Sequence, residues 1–354
     1  MNYSRAHCLP ALVLAGILLL LVGCSEAVKT PALTPESPQL KVFGVLPAVM
    51  ESSKNPVTAE KVDLGRMLYY DTRLSLGQDI SCNSCHKLDA YGVDGEPTSP
   101  GHRGQRGDRN SPSVYNAAGH FVQFWDGRAA DVEEQAKGPV LNPVEMAMPS
   151  EKRVVVVLKS IPGYAKLFKG AFPDAKDPVT FDNMALAIGA FERKLVTPSR
   201  WDKFLGGDAS ALTAPELAGL KTFLDANCQT CHMGPYVGGT IYQKLGLIKP
   251  WPNQSDTGRE QVTGNESDRM MFKVPSLRNV AKTGPYFHDG KTQALEEAVT
   301  KMADYELGKE LSRDQVTAIV TFLGTLTGDI PTDYIKKPEL PASGPKTPKP
   351  DLSD

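Results

Sequence analysis

The sequence predicts a mainly α-helical protein built from two similar modules with long loops and little or no β-sheet. Three observations carry this. Apolar residues recur at three- and four-residue spacing in several segments. Two CxxCH pentapeptides, at 82–86 and 228–232, each follow a helical segment, and their histidines stand 146 residues apart. Both halves also run in one order, helix, CxxCH, long loop, closing helix, which is a duplication longer than a solenoid repeat.

The first element, residues 1–24, reads as an export signal. Arg5 precedes the apolar run ALVLAGILLLLV at 11–22, which is too short for a comfortable membrane span. The run ends in Leu21-Val22-Gly23-Cys24, which resembles the lipobox of bacterial lipoproteins. In that reading the chain is cut before Cys24, whose thiol takes a lipid; the alternative is an ordinary secretory signal. Both place the chain outside the cytoplasm, and the lipobox makes it a periplasmic lipoprotein that meets the membrane only through its anchor. Residues 25–57, rich in Pro, Ser, Thr and Lys, read as a flexible tether.

The first module is expected over 58–196. AEKVDLGRMLYY at 59–70 and FDNMALAIGAFERKL at 181–195 carry helical apolar spacing, whereas RVVVVL at 153–158 is ambiguous between helix and strand. A boundary near Val196–Ser199 leads to a second module over 197–335. There Thr213 to Glu216 forms a capping box with Pro in the first turn, ahead of Leu217, Leu220, Phe223 and Leu224. Ser312 to Gln315 forms another, opening a closing helix that Gly328 is expected to end. Residues 336–354 read as a disordered or loosely attached tail.

The 354 residues suffice for two domains, and 41% hydrophobic content suffices for packed cores. With 39 Lys and Arg against 41 Asp and Glu, and no basic block, nothing suggests a nucleic-acid partner. Of the six cysteines, Cys8 and Cys24 belong to the export segment. The other four pair as Cys82/Cys85 and Cys228/Cys231, each pair followed at once by a histidine.

CNSCH and CQTCH have the spacing of c-type haem attachment. The two thiols add across the haem vinyl groups, and the adjacent histidine becomes an axial ligand of the iron. One structural zinc held by four cysteines would leave both histidines unexplained. A redox disulfide is usually set in a βαβ context, which is absent. The fold class is therefore two c-type cytochrome domains, each with a covalent haem, and His86 and His232 are the proximal ligands. The sixth ligand decides function. In the second module Met302, 70 residues after His232, stands where small c-type cytochromes place their axial methionine, ahead of Met233, Met270 and Met271. In the first module the residues leave the choice open. His102 and His120 are loop histidines, Met146 and Met148 are credible electron-carrier ligands, and Glu145 between them is a carboxylate that could face an open site.

The runs CNSCH, VDGEPTSPGH, RNSPSVYNA, FWDGRAADVEEQAKGPV, NPVEM, LRN and PYFHDG resemble the bacterial di-haem cytochrome c peroxidases, over residues 55 to 330. A sister group, the di-haem oxygenases that mature a quinone cofactor in another protein, shares the layout. The resemblance implies that the haem on Cys82, Cys85 and His86 is peroxidatic, and that the haem on Cys228, Cys231 and His232, with Met302 as sixth ligand, receives electrons. It implies that Trp125 lies between the haems, that His102 is a displaceable distal ligand on a Gly-rich loop, and that Glu145 is the active-site acid with Gln135 beside it. Splitting H2O2 needs a proton moved from one oxygen to the other so that water leaves, which a carboxylate can do as base and then acid. The resemblance further implies a calcium ion on the Asn110 side chain and the carbonyls of Thr283 and Pro285, all hard oxygen donors. It leaves the role of His288 open.

The implied reaction reduces H2O2 with electrons from a small c-type cytochrome or copper protein. Family members are often homodimers, so one is expected here. The alternatives are a di-haem electron-transfer protein with Met146 or Met148 on the first iron, and an oxygenase acting on a partner protein. The oxygenases carry Tyr where this chain has Met302.

Overall fold

Helix α1 (Ala59–Tyr70) begins where the Thr58 hydroxyl accepts the Lys61 amide, satisfying a donor that the first turn leaves without a partner. The computed structural model describes Met1 and residues 33–351, so the export segment with Cys8 and Cys24 lies outside the described residues. After α1 come a one-turn helix α2 (Cys82–Cys85), then α3 (Val132–Leu141), α4 (Glu151–Ser160), α5 (Pro162–Ala171) and α6 (Phe181–Glu192). The second half holds α7 (Arg200–Leu205), α8 (Ala214–Asp225), a short α9 (Glu260–Thr263), α10 (Leu295–Leu307) and α11 (Arg313–Gly324). Among the described residues the one sheet is an antiparallel pair, β1 (Tyr242–Lys244) and β2 (Met271–Lys273), with Gln243 opposite Phe272. No described helix is long and apolar enough to cross a membrane.

The ambiguous run RVVVVL lies inside α4. Ser150 caps it, and Val154, Val157 and Leu158 are buried at helical spacing, which outweighs the β-branched composition. Both capping boxes are formed: Thr213 N–H donates to Glu216 at 2.8 Å, and Ser312 N–H donates to Gln315 at 2.9 Å. Helix α11 ends at Gly324, four residues before the expected Gly328. Gly328 is instead a close-approach residue, since a Cβ there would lie 2.1 Å from the Thr197 carbonyl oxygen.

In each half the helix preceding CxxCH crosses the closing helix at a glycine. A Cβ on Gly65 of α1 would stand 1.9 Å from the Ala187 carbonyl of α6, and one on Gly219 of α8 would stand 2.1 Å from the Ala318 carbonyl of α11. Around the first crossing Leu64, Leu68, Tyr69, Met184, Ile188 and Phe191 form one apolar core. Around the second, Trp201, Phe204, Leu220, Phe223, Ile319 and Phe322 form another.

Residues 33–57, expected as a flexible tether, are instead packed down. Leu33 and Leu40 join the second core. Met50 N–H donates to the Arg193 carbonyl, and the Arg193 guanidinium donates back to the Met50 carbonyl and to Glu133 through two bonds of 2.8 Å. The segment expected as a loose tail also packs. Arg73 donates to the Pro341 carbonyl at 2.8 Å, Gln78 donates to that of Pro348 at 2.8 Å, and Thr347 lies 3.1 Å from the Ser160 hydroxyl. Just before it, Tyr334 stacks on Phe191 at 5.1 Å. The N-terminal segment thus closes the second core and the C-terminal segment the first.

Candidate functional site

The first CxxCH sits on α2, where Ser81 and Ser84 form a reciprocal cap. His86 N–H donates to the Cys82 carbonyl at 3.0 Å, and the Tyr69 hydroxyl donates to the His86 carbonyl at 2.9 Å. The second motif repeats the turn: His232 N–H donates to the Cys228 carbonyl at 3.1 Å. All four cysteines are free thiols. Burial raises every one of them, Cys85 to about 11 and Cys228 to about 12. A redox dithiol needs a depressed thiol pKa, so this setting argues against disulfide chemistry. Among the described residues no three His, Cys, Asp or Glu side chains converge as metal ligands, which argues against zinc.

Both histidines are held neutral. Burial lowers His86 below its ordinary range, opposed by the backbone of Gly92 and Pro112. Burial lowers His232 to about 4, opposed by the backbone of Val237 and Pro275. The Nδ1 atom of each ring is shut off from solvent and makes no hydrogen bond of good geometry. A buried neutral imidazole beside two free thiols is what covalent haem attachment requires.

A cavity of about 1350 Å³ opens in front of His86. Its wall brings together Cys82, Cys85, Gln135, Glu145, Trp125 and Asn110, with Thr283 and Pro285 arriving from the second half. Glu145 stands on the turn after α3, which Asn142 organises. The Asn142 side-chain oxygen accepts the Val144 amide at 3.1 Å, and its amide donates to Glu145 Oε1 at 2.7 Å. Burial raises the Glu145 carboxyl above its ordinary range, while Arg128 and Asn142 pull it down. The result is an acid nearer to holding its proton, which suits a general acid–base role. Met146 and Met148 are both buried in the first core; Met146 also borders the cavity.

His102 stands apart from this set. It is buried on a 3-10 turn (His102–Gly104), but its side chain does not line the cavity. Its backbone N–H donates to the Glu145 carbonyl at 2.7 Å, and Gly101 lies so close that a Cβ would meet the Val144 carbonyl at 2.0 Å. The His102 loop therefore rests directly on the loop that carries Glu145. His232, Met302, Cys228 and Cys231 also lie outside this cavity. Met302 packs instead against the cluster of Trp251, Met270 and Phe272, and Trp125 packs against that same cluster. Trp125 thereby touches both the first cavity and the surroundings of Met302. At Asn110 the side-chain N–H groups donate to the carbonyls of Glu96 and Pro97, at 3.0 and 3.3 Å, leaving Oδ1 without a protein donor. Asn110, Thr283 and Pro285 all border the cavity, and their side-chain and carbonyl oxygens are hard donors of the kind calcium takes.

The duplication runs deeper than the CxxCH spacing suggested. PSVYN at 112–116 is matched by PSLRN at 275–279, and the two asparagines, both left-handed and fully buried, converge on one hydroxyl. Asn116 donates to Thr197 Oγ1 at 2.8 Å and Asn279 donates to it at 2.9 Å. Likewise FWDGR at 124–128 is matched by FHDGK at 287–291. Phe124 and Phe287 both have positive φ, and Trp125 and His288 meet edge to face with centroids 6.5 Å apart. These pairs were readable as repeats in the sequence. The buried Lys273, Glu192 and Arg278, all on the cavity wall, carried no such signal.

The family model described as di-haem cytochrome c peroxidase matches residues 59–210. The cytochrome c551 peroxidase of Nitrosomonas europaea is 49% identical, covering 83% of this chain and 87% of that protein. The cytochrome c551 peroxidase of Pseudomonas aeruginosa is 47% identical, covering 85% and 88%. Among solved structures, a MauG-like protein associated with microbial copper homeostasis superposes with a TM-score of 0.72 at 29% identity, over 83% of this chain and 97% of that one. The chain belongs to the di-haem cytochrome c peroxidase family and is an enzyme of that peroxidase class.

Proposed function

We propose that the protein reduces H2O2 to water at the cavity before His86, with electrons drawn from a small c-type cytochrome or copper protein. One observation carries the reading: Glu145, Gln135, the neutral His86 and Trp125 line a single cavity. When bound, haem on Cys82, Cys85 and His86 supplies the iron that takes up peroxide, and haem on Cys228, Cys231 and His232, with Met302, supplies the entry point for electrons.

The chain's own residues do the rest. Glu145, raised by burial yet held by Asn142, takes a proton from one peroxide oxygen and returns it to the other, so that water leaves. Gln135, on the same wall, orients peroxide by hydrogen bonding. Trp125 fixes its indole by donating to the Asn110 carbonyl at 2.9 Å, which ties the electron route to the residue that binds calcium. Asn110, Thr283 and Pro285, which come from both halves, would hold calcium, whose charge would steady that contact. His102 is a displaceable cap whose loop moves with the Glu145 turn, since their backbones are bonded. The protein acts in the periplasm, anchored through lipid on Cys24, and pairs as a homodimer.

Glu145→Gln keeps the size of the side chain and the amide contact but removes the base. Peroxide-dependent oxidation of a reduced c-type cytochrome is expected to fall about 100- to 10,000-fold with both haems retained. Full activity in that variant would overturn the role given to Glu145. A reading as a pure electron carrier needs methionine-to-iron charge-transfer absorption from both haems; one such haem per chain is expected.

A further inference from the structure

Lys273, at the end of β2, is 6% exposed and its side chain reaches the wall of the main cavity. Its ammonium makes one hydrogen bond, to the Val122 carbonyl at 3.1 Å, and no ion pair among the described residues. The carboxylate that acts on it, Asp126, is already taken by Arg109 at 2.5 Å and Arg128 at 3.0 Å. Burial brings the Lys273 ammonium down to about 8. His120 lines the same cavity beside it, close enough for the Lys273 charge to disfavour a protonated ring. Both His120 ring nitrogens are shut off from solvent without a partner. The ring is pinned between Tyr236, edge to face at 5.5 Å, and Gly239, where a Cβ would stand 2.4 Å from it.

Buried cations in proteins are paired, because an isolated one costs several kcal/mol. Here the Lys273 side chain borders the cavity, and the carboxylate that acts on it, Asp126, is held by two arginines. The group implied by the two CxxCH motifs carries carboxylates of its own. We propose that Lys273 is the seat of a haem propionate, its ammonium pairing with the carboxylate while the His120 ring packs beside it. The seat rests on the reading that haem is attached at CxxCH. Cys82, Cys85 and His86 line the cavity whereas Cys228, Cys231 and His232 do not, so the propionate expected at the seat belongs to the haem on the first motif. Lys273 N–H also donates to the Trp125 carbonyl at 2.8 Å, so the seat and the indole share one stretch of backbone. A positive charge at a propionate favours the reduced haem, and Lys273 is thus a positioning residue that sets one haem's potential.

Lys273→Met in the full haem-loaded chain tests this. Haem content is measured first; a wild-type chain without two haems sinks the functional reading itself, independently of the seat. With both haems present, spectroelectrochemistry is expected to show one potential lowered, by a tenfold change in the reduction equilibrium, equivalent to about 59 mV for one electron. The propionate bending bands in resonance Raman should move with it. The methionine-to-iron band tells which haem has shifted and so which propionate is seated. Lys273→Arg is expected to restore most of the potential, which a merely structural role would not require. Lys273→Gln should lower the same haem likewise, and carries the test if Lys273→Met does not accumulate. Two unchanged potentials with unchanged propionate bands would overturn the proposal.

Discussion

Glu192 is a buried carboxyl on the cavity wall whose surroundings make stability depend on pH. It is 4% exposed, and burial, reinforced by Glu133, raises its carboxyl from 4.5 to about 8, with Arg193 opposing. A carboxyl raised on folding contributes stability that is fully present below its unfolded value and is lost as pH rises through the folded one. Stability from this residue should therefore drain away between about pH 4.5 and about pH 8. Glu192→Gln keeps the neutral form at every pH. Its melting temperature should exceed wild type by more at about pH 8 than at about pH 5, as read by calorimetry on the haem-loaded protein. An equal gain at both would show that Glu192 does not titrate in this range. At this scale the sequence spoke unevenly. The CxxCH residues declared themselves because thioether attachment needs them adjacent in the chain, and Glu145 became legible through the motif around it. Glu192 sits in a helix four residues after Ile188, where a charge reads as a helix-end residue; the packing of α1 and α3 on α6 buries it.

Elements were legible where their signals are local. Both capping boxes depend on residues three apart, and α4 was ambiguous only because four valines and a leucine satisfy helix and strand alike. What no local signal shows is why Gly65 and Gly219 sit inside helices, where glycine costs about 1 kcal/mol relative to alanine. They are there because another helix's backbone lies on them. The consequence separates glycines by packing. Gly65→Ala should lower stability by about 1–3 kcal/mol through overpacking against Ala187. Gly170 of α5 faces nothing within 4 Å, so Gly170→Ala should raise stability by up to about 1 kcal/mol. Denaturant midpoints of the two variants check this, and a stabilising Gly65→Ala would mean that α1 and α6 can separate without loss.

At the scale of the whole molecule, the terminal segments tie the two halves together. Their composition suggested a tether and a tail because Pro, Ser and Lys report an absence of regular hydrogen bonding, which does not preclude packing. The C-terminal segment is coupled to the active-site wall through a chain of backbone bonds. Asp351 N–H donates to the Leu76 carbonyl at 3.0 Å, Leu76 N–H to the Met146 carbonyl at 2.8 Å, and one residue earlier the Glu145 carbonyl accepts His102 N–H at 2.7 Å. Pro341 packs against Gly163, and Arg73 and Gln78 hold the strap by their side chains. Each such bond contributes about 0.5–1.5 kcal/mol net, partly offset by the entropy of ordering the segment. A chain ending at Lys337 should therefore melt lower. Its Leu76 and Met146 amides should exchange faster with solvent, because the turn they share loses its outer support. Amides of α11, such as that of Phe322, pack around the second core and should keep their protection. Unchanged exchange at Leu76 would mean that the strap lies on the first module without holding it. Faster exchange at Leu76 with the α11 amides unmoved would mean that the C-terminal segment stabilises the wall carrying Glu145 from outside the cavity.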